Sequence, residues 1–163
     1  DYDALCYASY FAEMVQYLSR EGIEAAEELL LMYITMRALQ NRRISFELIR
    51  VIFEMRLMLT EGEGLELFRC LHCGKEEVHS VYLSEGGLIC RECAAKDKKL
   101  SKEYPIVLSA DAKYTLQYIL TSTPEKLYAF TVTDSVLNEL KRLMKSYLAR
   151  YLPHKFKTLD FIV

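Results

Sequence analysis

Cys70-Leu71-His72-Cys73 and, after a gap of sixteen residues, Cys90-Arg91-Glu92-Cys93 decide how the middle of this chain folds. Each pair offers two sulfurs, and C-x2-C-x16-C-x2-C is a spacing that gathers four ligands around one tetrahedral ion. Zn²⁺ meets that demand, with soft ligands and no redox chemistry of its own. Between the pairs, Val81-Tyr82-Leu83 and Leu88-Ile89 flank Ser84-Glu85-Gly86-Gly87. Two short apolar runs joined by a glycine turn predict a β-hairpin that feeds directly into Cys90. Zinc held by Cys70, Cys73, Cys90 and Cys93 is expected to be structural, because four thiolates close the shell where a catalytic ion keeps a place for water. A redox role is the third possibility, but the pairs lack the strand–helix setting of a thioredoxin-like site. His72 and His79 are near enough in sequence to replace a sulfur, although surface positions suit both better. Cys6 stands apart, on an apolar helix, where it reads as a small buried hydrophobe.

Working outward, the helical period appears on both sides of residues 68–103. Residues 2–19 carry Leu5, Ala8, Ala12, Val15 and Leu18 at spacings of three and four. Tyr7, Tyr10, Phe11, Met14 and Tyr17 widen that face until little polar surface remains. Residues 19–23 break the pattern, with Gly22 as the expected hinge. Residues 24–40 form a second helix, through Leu29, Met32, Tyr33, Met36 and Leu39, with Glu24, Glu27 and Glu28 in its first turns. Residues 45–60 form a third, with Ser45 as N-cap and the Glu61–Gly64 stretch as its stop. After the cysteines, Ser109 caps a helix to about Leu120, and Thr133 caps one over 134–152 that Pro153 ends. The expected fold is mainly α: a helical bundle, residues 1–67 and 104–163, interrupted by a small four-cysteine zinc module with a β-hairpin, residues 68–103.

Bulk properties narrow the function classes. The 163 residues are 52% hydrophobic, enough for a real core and too apolar for disorder. A net charge of −2 advertises no general affinity for nucleic acid, so any such surface must come from local clustering. The charge is uneven: residues 1–40 sum to −5 and residues 137–160 to +4. No run of about 18 apolar residues suggests a membrane span, and no signal-peptide pattern opens the chain. A reducing compartment is therefore expected, where paired cysteines serve as metal ligands sooner than as disulfides. The chain starts with Asp1 and enters a helical pattern at once, as a piece of a longer polypeptide would. Three histidines assemble no catalytic set, and no glycine loop cradles a phosphate. An enzyme with a small-molecule substrate is not expected.

The last helix carries the other candidate surface. At about 100° per residue, Lys141, Arg142 and Lys145 share one sector with Asn138, away from the apolar stripe of Val136, Leu140, Leu143, Met144, Tyr147 and Tyr151. Arg150 lies beyond, and Lys155 and Lys157 follow the helix end. This face is either an ordinary solvated one or a contact for phosphates or an acidic peptide. Tyr147, Tyr151 and Phe156 interleave with the bases, but the two tyrosines lie on the core face. Lys96, Lys98, Lys99 and Lys102 form a lesser cluster after the second cysteine pair, diluted by Asp97 and Glu103.

Together these residues support a family comparison. Leu67-Phe68-Arg69-Cys70-Leu71-His72-Cys73-Gly74, then Tyr82-Leu83-Ser84-Glu85-Gly86-Gly87-Leu88-Ile89-Cys90-Arg91-Glu92-Cys93, resembles the zinc segment of the bacterial DNA repair family RecO. Phe46-Glu47-Leu48, and Tyr147-Leu148-Ala149-Arg150-Tyr151-Leu152 followed by Lys155-Phe156-Lys157-Thr158-Leu159-Asp160-Phe161, resemble its flanking helices. The resemblance implies a recombination mediator, not an enzyme. Such a protein binds and anneals single-stranded DNA, works with RecR, contacts the tail of single-stranded DNA-binding protein and helps load RecA. It implies a bacterial cytoplasmic, nucleoid-associated setting. It also implies an N-terminal OB-fold, which has no counterpart in this sequence, so only the helical and zinc portion is represented. A zinc-stabilised protein-interaction or transcription adaptor module without annealing activity is the rival from another class. A metal-dependent hydrolase is the third, and it would require an exchangeable ligand position.

Overall fold

The computed structural model describes residues 1–20 and 24–162; the expected hinge at Gly22 lies outside them. Three helices precede the cysteines: α1 (Tyr2–Leu18), α2 (Ala26–Asn41) and α3 (Phe46–Thr60). The cysteine module follows with strands β1 (Ser80–Tyr82) and β2 (Gly87–Leu88), a short helix α4 (Arg91–Lys96), a 3-10 turn (Leu100–Lys102) and a strand β3 (Ile106–Val107). Helices α5 (Ala110–Thr121) and α6 (Asp134–Tyr151) and a 3-10 turn (Lys157–Phe161) complete the described chain. The architecture is mainly α with one small antiparallel sheet, as the sequence leads one to expect.

The capping residues act as read. Ser45, Ser109 and Thr133 accept hydrogen bonds from the backbone N–H groups of Leu48, Ala112 and Val136, each satisfying a donor that the helix cannot. Gly62, in the left-handed region at φ 83°, turns the chain after α3. That helix is the centre of the bundle. Ile49, Ile52, Phe53, Met55 and Leu57 are fully buried on it, so it is apolar nearly all round, as a helix enclosed by α1, α2, α5 and α6 must be. Phe11 of α1 packs against Phe53 at 4.3 Å between ring centroids, the rings tilted by 30°.

Two helical faces are rotated from the sequence expectation. On α1 the buried stripe is Cys6, Tyr7, Tyr10, Phe11 and Met14, while Leu5 stays 63% exposed. The aromatic stripe prevails because it carries the greater apolar area. On α2, Leu31, Thr35, Ala38 and Leu39 face inward and Leu29 and Tyr33 face out. Thr35 fits because its hydroxyl is satisfied by the Leu31 carbonyl and by Tyr128.

The sheet runs β2-β1-β3, with Val81 opposite Leu88 on one side and Ile106 on the other. The β1–β2 hairpin is the one expected, turned by Gly86 at φ 77°. Gly87 allows a close approach: a Cβ there would lie 2.5 Å from the Glu66 carbonyl oxygen, which accepts a hydrogen bond from Leu88 N–H. Strand β3 and helix α4 were not foreseen. Both are too short to show a period, and β3 lies at 106–107, past the stretch assigned to the module. One continuous apolar core runs from α1 to the hairpin.

Candidate metal centre and basic groove

Cys70 precedes a tight turn in which Gly74 N–H bonds back to the Cys70 carbonyl. Cys90 ends the hairpin and is the N-cap of α4, its sulfur accepting from Cys93 N–H at 3.4 Å. Hairpin and helix thus bring both pairs to one point, and the four Sγ atoms lie within 4.8 Å of one another. The Cys73 and Cys90 sulfurs are 3.6 Å apart. A disulfide needs about 2.0 Å, whereas Zn–S bonds of about 2.3 Å in a tetrahedron place sulfurs about 3.8 Å apart. The donor set therefore fits a tetrahedral zinc.

The electrostatics agree. Burial pushes the Cys70 thiol up, but backbone N–H donors of Cys90, Cys73 and His72 bring it down to about 6. The Cys93 thiol goes the other way, pushed up to about 12 chiefly by its hydrogen bond to the Cys90 sulfur. One thiolate is favoured by the backbone donors around it, and its neighbour is opposed because ionising would break its hydrogen bond to the Cys90 sulfur. His72 is paired with Glu85 at 3.7 Å on the exposed side of the hairpin, and His79 is half-buried. Neither joins the sulfur cluster among the described residues. Cys6 is buried in the helical core, as expected.

The basic residues of the last helix divide. Lys141, Arg142 and Lys145 border a groove of 550 Å³ between α1, α3, α6 and the final 3-10 turn. Tyr7, Val51, Met144, Leu148, Leu159 and Ile162 make it largely apolar. Lys141 already has a partner, Glu47 at 3.0 Å. Arg150, Lys155 and Lys157 are exposed but lie off this groove. Tyr147 and Phe156 are buried and are unavailable for stacking on bases.

Sequence reading missed Arg50. On α3 it joins the groove and pairs with Glu54 at 2.7 Å. Glu54 is 2% exposed and also accepts from the Tyr10 hydroxyl at 2.8 Å. Burial raises its carboxyl, against the pull of Arg50 and Tyr10. The signal was the i,i+4 pair of opposite charge set among Ile49, Val51, Ile52, Phe53 and Met55, where a charge persists only if it is paired.

Comparison with known proteins places this architecture. The family model described as recombination protein O C terminal matches residues 1–160. The DNA repair protein RecO of Acetivibrio thermocellus is 31% identical over 165 residues, covering 99% of this chain and 63% of the relative. Those of Clostridium kluyveri and Clostridium acetobutylicum are 27% identical, each covering 99% of this chain, and 61% and 64% of the relatives. The chain thus spans about three fifths of the length of these relatives.

Proposed function

The chain belongs to the RecO family, as its C-terminal part, and from that premise we propose that it serves a recombination mediator in DNA repair. The mediator binds and anneals single-stranded DNA, contacts RecR and single-stranded DNA-binding protein, and promotes RecA loading in the bacterial cytoplasm at the nucleoid. The chain contributes a scaffold and a docking site, not a catalytic centre. Zn²⁺ held by Cys70, Cys73, Cys90 and Cys93 would supply cross-linking of the module and no chemistry. The module is an insert in an otherwise helical domain.

The groove carries this reading. An acidic, apolar-ended peptide such as the tail of single-stranded DNA-binding protein would place its apolar end against Leu148, Leu159 and Ile162, and its carboxylates toward Arg50, Arg142 and Lys145. The apolar floor favours such a peptide over a phosphate backbone, which would leave that surface uncovered. Fluorescence anisotropy with the labelled tail peptide tests the assignment. Saturable binding is expected, and charge reversal at Arg142 and Lys145 should abolish it. A peptide that fails to bind, or that ignores both reversals, would remove the groove from the mechanism.

A further inference from the structure

The loop that leaves the cysteine module, Asp97 to Tyr104, has an unusual division of labour. Its carboxylates turn to the protein: Asp97 accepts from the backbone N–H groups of Lys99 and Leu100, and Glu103 takes Ser84 N–H and its hydroxyl. Leu100 is buried beneath the turn. With its two carboxylates and Leu100 so committed, the loop is braced against the module. What remains outside is cationic and aromatic. Lys96, Lys98, Lys99 and Lys102 are exposed, and none makes an ion pair among the described residues. Tyr104 is 95% exposed, the most exposed of the large apolar side chains described.

We propose that this loop is a second contact surface, one for single-stranded nucleic acid, with Tyr104 stacking on a base and Lys98, Lys99 and Lys102 meeting the flanking phosphates. A protruding ring offers a flat π-face, which every base can use without sequence preference. A duplex keeps its bases stacked on each other and offers the ring nothing. An apolar peptide side chain needs a concavity, and Tyr104 protrudes and does not line the groove of α1, α3 and α6. Because the loop is fixed beforehand, little ordering cost opposes binding. The inference rests on the single-stranded-DNA reading above but not on the groove.

The test is anisotropy of the zinc-loaded chain with labelled oligothymidylate of about 16 nucleotides, beside the acidic tail peptide. Tyr104→Ala should weaken DNA binding about tenfold and leave peptide binding unchanged, while Tyr104→Phe retains wild-type affinity. Replacing Lys98, Lys99 and Lys102 with Gln should flatten the log–log salt dependence by about two units. Photocrosslinking from 5-iodouracil should label Tyr104. Wild-type DNA binding that is indifferent to Tyr104→Ala overturns this surface alone, as does equal affinity for duplex. A wild-type chain that binds no single-stranded DNA overturns this surface and the DNA reading for this part of the mediator together.

Discussion

The hydroxyl of Tyr151, near the end of α6, donates to the backbone carbonyl of Leu83 at the turn of the cysteine hairpin. This contact ties the basic helix to the module across 68 residues of sequence. Lys113 and Gln117 of α5 make matching ties to the carbonyls of Glu76 and Leu67. Tyr151→Phe should cost about 1 kcal/mol of stability and speed amide exchange in residues 80–88. Unchanged exchange there would mean that the hairpin is held by its own ladder.

Chelation should unfold the module and little else at first. Four thiolates around a structural zinc contribute about 10–16 kcal/mol of apparent folding free energy, a loss that the buried Val78, Val81, Leu88, Ile89 and Leu100 of the module only partly offset. Serine at any of Cys70, Cys73, Cys90 or Cys93 should eliminate stoichiometric zinc in elemental analysis. Cys6→Ser should leave one zinc per chain. Retention of zinc by a single-cysteine variant would indicate an open site with an exchangeable ligand.

Glu54→Ala should be among the most damaging single changes in the helical part. It leaves the Arg50 guanidinium and the Tyr10 hydroxyl without their acceptor in a buried setting. A loss of about 3 kcal/mol or more is expected in urea unfolding. Glu54→Gln, which keeps an acceptor oxygen, should lose less, and equal losses would show that charge rather than acceptance matters.

Within the basic groove, the three basic positions of α6 are not equivalent. Lys141 is engaged with Glu47, so Lys141→Gln should change peptide affinity less than twofold (about 0.4 kcal/mol). Arg142→Glu and Lys145→Glu should each weaken it about tenfold. Isothermal titration of the three variants orders them, and a dominant Lys141 would contradict the geometry.

Acid should release the final turn from α1. Glu13 accepts from the Thr158 hydroxyl, from Thr158 N–H and from Lys157 N–H, which together hold its carboxyl below the ordinary range. A depressed carboxyl pKa means that its stabilisation is complete above the unfolded value of about 4.3 and disappears as pH falls through the lower folded value. Leu159 and Ile162, which wall the groove, should loosen over that window. Glu13→Gln should reproduce the effect at neutral pH, read as faster exchange at residues 157–162 and weaker peptide binding. A variant with wild-type exchange would show that apolar packing alone seats this segment.

The cysteine spacing, the glycine hairpin and the three N-caps were legible because each rests on local chemistry. Ser45, Ser109 and Thr133 need only the turn that follows them. The orientation of α1 and α2 was not, since Leu5 and Leu29 satisfy a helical period as well as Tyr7 and Leu31 do. Which stripe is buried depends on what α3 offers across the interface. The metal ligands could be named from spacing, but the groove could not. It is assembled from residues as distant as Tyr7, Arg50 and Ile162, and only its α6 wall, with Lys141, Arg142 and Lys145, could be read from one helical period. Asp97 and Glu103 read as charges diluting a cluster, but they bond the backbone of Lys99 and Leu100 and the N–H and hydroxyl of Ser84.

Strand β3 reaches β1 from beyond the second cysteine pair, and that fixes an order of events on the ribosome. The four sulfurs and the β1–β2 hairpin emerge before Ile106 and Val107, so the metal can be captured while the sheet still lacks a strand. β3 comes next, then Lys113 and Gln117, then Tyr151, each docking on a module already shaped. Glu13, made long before Thr158, must wait for it before its helix is sealed. A pause in translation would therefore leave open the side of α1 that Phe156 and Thr158 come to cover.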